Sequence, residues 1–107
     1  LHTLVTALRD DLPRLEANLE AGRKLAADSA VPAARTAEAL RRAAHALKNS
    51  AATLCFEELR LRAAALEQAA RQALAGTPEQ AEGLEPLAAA CAEALARAEE
   101  ALRRDNG

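Results

Sequence analysis

Apolar residues recur along this chain at the spacing of one helical face. Leu1, Leu4 or Val5, Leu8, Leu12, Leu15 and Leu19 draw a single stripe of period 3.6 and predict a helix over about residues 1–27. Pro13 falls inside it and removes a backbone donor, yet the stripe keeps its phase, so the expectation is one bent, continuous helix. A second stripe of Leu40, Ala44, Leu47, Ala51 and Leu54 predicts a helix over about 33–54. A third, of Leu59, Ala63, Leu66, Ala70 and Ala73 or Leu74, predicts one over about 56–75. The last stripe, Leu84, Ala88, Cys91, Leu95, Ala98 and Leu102, predicts a helix over about 78–104, disturbed near Gly83 and Pro86.

The breaks between stripes are short. "DSAVPAART" carries Pro32 as punctuation. In "GTPE", Gly76 suits a C-terminal cap, Thr77 an N-cap and Pro78 a first helical position. Four amphipathic helices with short connections imply an all-α antiparallel four-helix bundle, one domain over 1–107. No internal repeat or low-complexity tail interrupts it.

Composition agrees. Of 107 residues 31 are Ala and 18 are Leu, against one aromatic residue, Phe56. Those are strong helix formers, and the β-branched and aromatic residues that a sheet wants are scarce. The core is therefore expected to be leucine and alanine, closely packed but modest in buried area.

Charge narrows the function classes. The net charge is −2 with acids and bases interspersed, which leaves no basic field for nucleic acid and no polybasic patch for anionic lipid. No apolar run approaches the ~20 residues of a membrane span. Nor is there a signal peptide, and a start at Leu1 without Met leads us to expect a piece of a longer protein. Cys55 and Cys91 make neither a disulfide framework nor a metal site; two buried thiols in a reducing cytoplasm are the expectation.

One residue stands out from this background. At about 100° per residue the inward positions of the second helix cluster within roughly 40° of Leu40, whereas His45 lies about 140° away. His45 is thus expected to face solvent, among Glu38, Arg41, Arg42, Lys48, Asn49 and Ala52. Lys48 and Arg41 are its surface neighbours at i+3 and i−4. An exposed imidazole titrates near neutrality and is a nucleophile, and nearby cations would stabilise an anion placed on it. A solvated, idle histidine would occupy the same position.

The whole string tilts the balance. "AAHALKNSAATLCFEELRLRAAALEQAAR", residues 43–71, resembles the signature of histidine-containing phosphotransfer (HPt) domains of bacterial two-component phosphorelays. His45, Leu47, Lys48, Ser50, Leu54, Leu59, Leu66, Glu67 and Arg71 fall on its positions. "LRDDLPRLEANLEAG" upstream is similar to the family's first helix, with its acidic-x-Pro turn. The resemblance implies a four-helix bundle that carries a phosphoryl group on His45 between receiver-domain aspartates. It implies that Lys48 offsets the phosphoryl charge and that Glu67 hydrogen-bonds the other ring nitrogen of His45. Arg41, Arg42, Asn49, Ala52 and Leu61 are the residues expected to meet the partner. The partners implied are response-regulator receiver domains, with no nucleic acid or membrane contact, and the isolated domain is expected to be a monomer. It is expected to bind no cofactor or metal of its own, Mg²⁺ belonging to the receiver. The parent implied is a hybrid sensor histidine kinase, cytoplasmic or tethered to the inner membrane. Two departures stand against the pattern: Asn49 and Cys55 occupy positions where the family usually has Gly.

Three other readings fit less well. A kinase dimerisation helix pair would follow the histidine with an acid and soon a proline; Ala46 follows here, and the next proline is Pro78. A scaffold bundle with an incidental histidine fits the alanine-rich helices, but basic residues do not line their apolar borders as a lipid surface prefers. A hydrolase needs a nucleophile or acid pair that the sequence does not offer. No phosphate-cradling G-x-x-x-x-G-K-[ST] loop is present, so the phosphoryl group must come from a partner.

Overall fold

A computed structural model describes residues 2–76 and 78–106, with side chains over 6–76 and 80–104. Four α-helices follow one another: α1 (His2–Ala27), α2 (Ala33–Leu54), α3 (Glu57–Ala75) and α4 (Leu84–Asn106). Each helix packs on its neighbour in sequence, and α4 closes back on α1, giving an all-α four-helix bundle about 44 Å long. The helix α1 runs unbroken through Pro13. Leu1 and Thr77 lie outside the described residues, as do the side chains of Leu4 and Val5 and that of Pro78.

The stripes meet in one core. Leu12, Leu15 and Leu19 from α1 are buried with Leu40, Leu47 and Ala44 from α2, Leu59 and Leu66 from α3, and Leu84, Cys91 and Leu95 from α4. At the end of the third stripe Ala73 packs against this core while Leu74 stays outside it, 39% exposed. Burial of each leucine contributes about 2 kcal/mol relative to exposure, and alanines between them let the helices approach closely. Gly22 marks a close approach. A Cβ there would lie 2.7 Å from Cδ2 of the fully buried Leu40, so α1 meets α2 at a position that admits no side chain.

The connections depart from expectation in two places. After Gly76 the chain does not enter α4 at Pro78; residues Pro78–Gly83 form a 3₁₀ segment and α4 begins at Leu84. Pro86 then falls in the first turn of α4, where its missing N–H has no helical partner to lose. Gly76 is extended rather than left-handed (φ −115°, ψ −138°). The α2–α3 joint supplies the left-handed residue instead, and it is Cys55, at φ 63° and ψ 32°. The Cys55 amide donates to the Ala52 carbonyl (3.3 Å) and the Phe56 amide to that of Ala51 (2.9 Å), the paired bonds of a Schellman cap. Phe56 packs against the core behind it. Cys55, expected to be buried, is exposed because it sits beyond the last turn of α2 while Phe56 takes the covering position; Cys91 is buried.

Candidate functional site: His45 on a buried carboxylate

The site is assembled by the α2–α3 pair. The loop joining them holds only Cys55 and Phe56 outside the helices, so the two run antiparallel, and their facing positions sum to a near-constant residue number. His45 of α2 therefore comes level with Glu67 of α3, one residue from the core stripe position Leu66.

His45 is exposed, its side chain retaining 47% of its surface, while Glu67 keeps 5%. The imidazole lies across the mouth of a buried carboxylate. Nδ1 of His45 is 2.7 Å from Oε2 of Glu67, and Nε2 is 3.3 Å from Nδ2 of Asn49. Both contacts are met together by the neutral ring with its proton on Nδ1, donating to the carboxylate while Nε2 accepts from the amide. The lone pair on Nε2 is then the one that faces the surface.

Glu67 is shared further. Nζ of Lys48 lies 2.5 Å from its Oε1, and Nη2 of Arg71 donates to Oε2 at 3.0 Å. Burial by itself pushes this carboxyl up, but hydrogen bonds from Lys48 and His45, with the charge of Lys48 beside it, outweigh that and hold it at about 2. It is therefore ionised at any ordinary pH. An uncompensated carboxylate in this position would carry a large desolvation cost; three basic partners offset it.

Each of the other expected residues can now be placed. Glu67 pairs with Arg71 at i+4, and its carboxylate is buried. Lys48 is not a free surface cation; its ammonium is drawn onto Glu67, with 31% of the side chain exposed. Arg41 donates twice to Glu38, at 2.7 and 2.9 Å, and feels the charge of Glu67. Arg42 is exposed and pairs with Glu38 at 3.3 Å. Ala52 is exposed two turns beyond His45, and among the described residues Leu61 on α3 is the most exposed large apolar one, at 54%. Asn49 is exposed but turned toward His45, which sequence reasoning did not specify.

Arg71 is the residue that sequence reasoning placed in the motif without giving it a part in the site. Its signal was the i, i+4 spacing from Glu67, a common surface pairing that becomes informative only once Glu67 is known to be buried. Among the described residues no cluster of His, Cys, Asp and Glu could hold a metal ion, and no helix is long and apolar enough to cross a membrane.

A surface imidazole thus sits on a buried, ionised carboxylate, carried by the second helix of a four-helix bundle. The chain belongs to the Hpt domain family, whose profile matches residues 1–105. No curated protein and no solved structure matches it. Membership carries the family's general role, phosphotransfer in two-component signalling with receiver domains as partners.

Proposed function

We propose that this domain accepts a phosphoryl group on Nε2 of His45 from the aspartate of one receiver domain and passes it to the aspartate of another. The observation that supports this most directly is the 2.7 Å bond from His45 Nδ1 to the buried Glu67 carboxylate, which leaves Nε2 as the outward nucleophile.

In the transfer, the Nε2 lone pair attacks phosphorus. The N–P bond forms as the acyl O–P bond of the phospho-aspartate breaks, and the electron pair leaves with the aspartate carboxylate. The proton on Nδ1 stays with the ring, so the ring gains positive charge during attack. That charge develops 2.7 Å from a carboxylate already ionised and already desolvated, which is electrostatic stabilisation without reorganisation. In this reading Lys48 is shared between Glu67 and an incoming phosphoryl oxygen, and Arg41 and Arg42 extend positive charge along α2. The receiver brings the phospho-aspartate and, in its own acidic pocket, Mg²⁺; docking supplies the in-line geometry. Ala52, Asn49 and Leu61 are all exposed, and the receiver would dock over them.

The test is to mix the purified domain with receiver domains phosphorylated by acetyl phosphate in the presence of Mg²⁺. Acid-labile, base-stable phosphate is expected on the wild-type chain and none on a His45→Gln variant. A folded wild-type chain that takes no label from a panel of receivers would overturn the reading and leave a scaffold bundle with an idle histidine.

A further inference from the structure

We propose that Asn49 is a positioning residue for His45: its side-chain amide holds Nε2 in the resting domain and donates to a phosphoryl oxygen once transfer has occurred. The inference rests on the phosphocarrier reading above and adds a group to it.

Among the described residues few polar groups surround the reactive nitrogen. Lys48, the cation expected to meet the phosphoryl group, has its ammonium on Oε1 of Glu67 in the resting domain. Arg41 and Arg42 are engaged by Glu38. The donor that reaches Nε2 itself is Asn49 Nδ2, one helical turn along α2 on the same face. Ala46 and Ala52 beside it carry no polar group. The amide of Asn49 is thus at the place where a phosphoryl group on Nε2 would put its oxygens.

The two bonds it would make differ in strength. At 3.3 Å the contact with Nε2 lies past the usual range for an N–H donor, and it joins two neutral groups. A bond to a phosphoryl oxygen is charge-assisted, hence shorter and roughly twice as strong. Rotating the amide from one to the other therefore favours phosphohistidine over the free ring. The weak resting contact is also easily displaced, so it does not block attack. The side chain that replaces the family's usual glycine would bias the domain toward holding its phosphoryl group.

The experiment has two arms. In the first, domain labelled with ¹⁵N-histidine in a His2→Gln background is examined by NMR without any phosphoryl donor. Nε2 of His45 is expected to be unprotonated, with a resonance that moves in Asn49→Ala. A protonated Nε2 would mean that the Asn49 oxygen, not its amide, faces the ring, and would overturn the proposal. In the second arm, wild type, Asn49→Ala and Asn49→Asp are equilibrated with a receiver phosphorylated by acetyl phosphate. The ratio of phospho-His45 to phospho-aspartate should fall about threefold to tenfold in Asn49→Ala, the effect of one hydrogen bond. It should fall further in Asn49→Asp, which keeps the shape but loses the N–H and repels the anion. Equal ratios with a wild type that does take label would sink Asn49 alone. A wild type that takes no label from any receiver would sink the carrier reading itself, and this inference with it.

Discussion

Lys48 and His45 bind opposite oxygens of the same buried carboxylate: Nζ of Lys48 meets Oε1 of Glu67 at 2.5 Å and Nδ1 of His45 meets Oε2 at 2.7 Å. The two residues of α2 that the proposed transfer uses are therefore both held by one residue of α3. Glu67 sets the ring tautomer, and it restrains the cation that would otherwise swing freely.

From that relationship the effect of Glu67→Gln follows. A glutamine amide still fills the space, but it cannot balance a ring that becomes positive, and it no longer demands the proton on Nδ1. Loss of such a supporting partner typically lowers activity about 10- to 100-fold. Phosphoryl acceptance by His45 should fall by that factor with helicity unchanged by circular dichroism; an unaltered rate would show that the carboxylate does not act on the ring.

Acid should destabilise the domain through the same group. Folded, Glu67 titrates at about 2; its ordinary value is 4.5. The unfolded chain therefore takes up the proton first, and stability is complete above about pH 5 and drains away as pH falls toward 2. The stabilisation at stake is roughly 3 kcal/mol by linkage. Glu99 of α4 acts in the other sense. Burial, with a hydrogen bond to Glu16 of α1 and that residue's charge, pushes it up to about 7 despite Arg103 nearby. Here the folded state binds the extra proton, so stability is lost as pH rises from about 4.5 to 7. Chemical denaturation across pH should give a maximum near 5, and Glu99→Gln should raise stability at pH 7.5 by about 1 kcal/mol after allowance for solvent screening. A flat profile between 5 and 7.5 in the wild type would refute the role of Glu99.

Cys55 holds a left-handed conformation that glycine adopts without strain. Cys55→Gly should stabilise the domain by about 1 kcal/mol, read from urea unfolding, because the Cβ clash disappears while the Schellman bonds remain. Cys55→Ala, which keeps the Cβ, should change stability by no more than about 0.5 kcal/mol. Equal gains from both variants would point to the thiol instead of the backbone.

Leu61 offers a separate test of docking. It is 54% exposed and takes no part in the core, so Leu61→Glu should leave the melting temperature unaltered. If the receiver covers it, loss of an apolar contact of about 1 kcal/mol raises the half-saturating receiver concentration roughly fivefold. Transfer kinetics at varied receiver concentration would read this directly, and an unchanged value would place Leu61 outside the interface.

Local pattern and tertiary packing divided the problem between them. The period of the apolar stripes was enough to specify four helices, to keep α1 continuous through Pro13 and to point His45 outward, because helical geometry turns spacing into direction without knowledge of any neighbour. The motif around His45 also singled out Glu67 and Lys48. What spacing alone could not say is that Glu67 is buried, that Lys48 turns inward onto it with Arg71, or that the Asn49 amide reaches Nε2. Those facts depend on the depth at which α3 packs against α2. Likewise the late start of α4 at Leu84 and the strained Cys55 arise where the path between helices must meet packing already set by the core. A helix wheel gives each side chain an angle; only the partner helix gives it a depth, and depth decides which charges are screened by water and which must find one another.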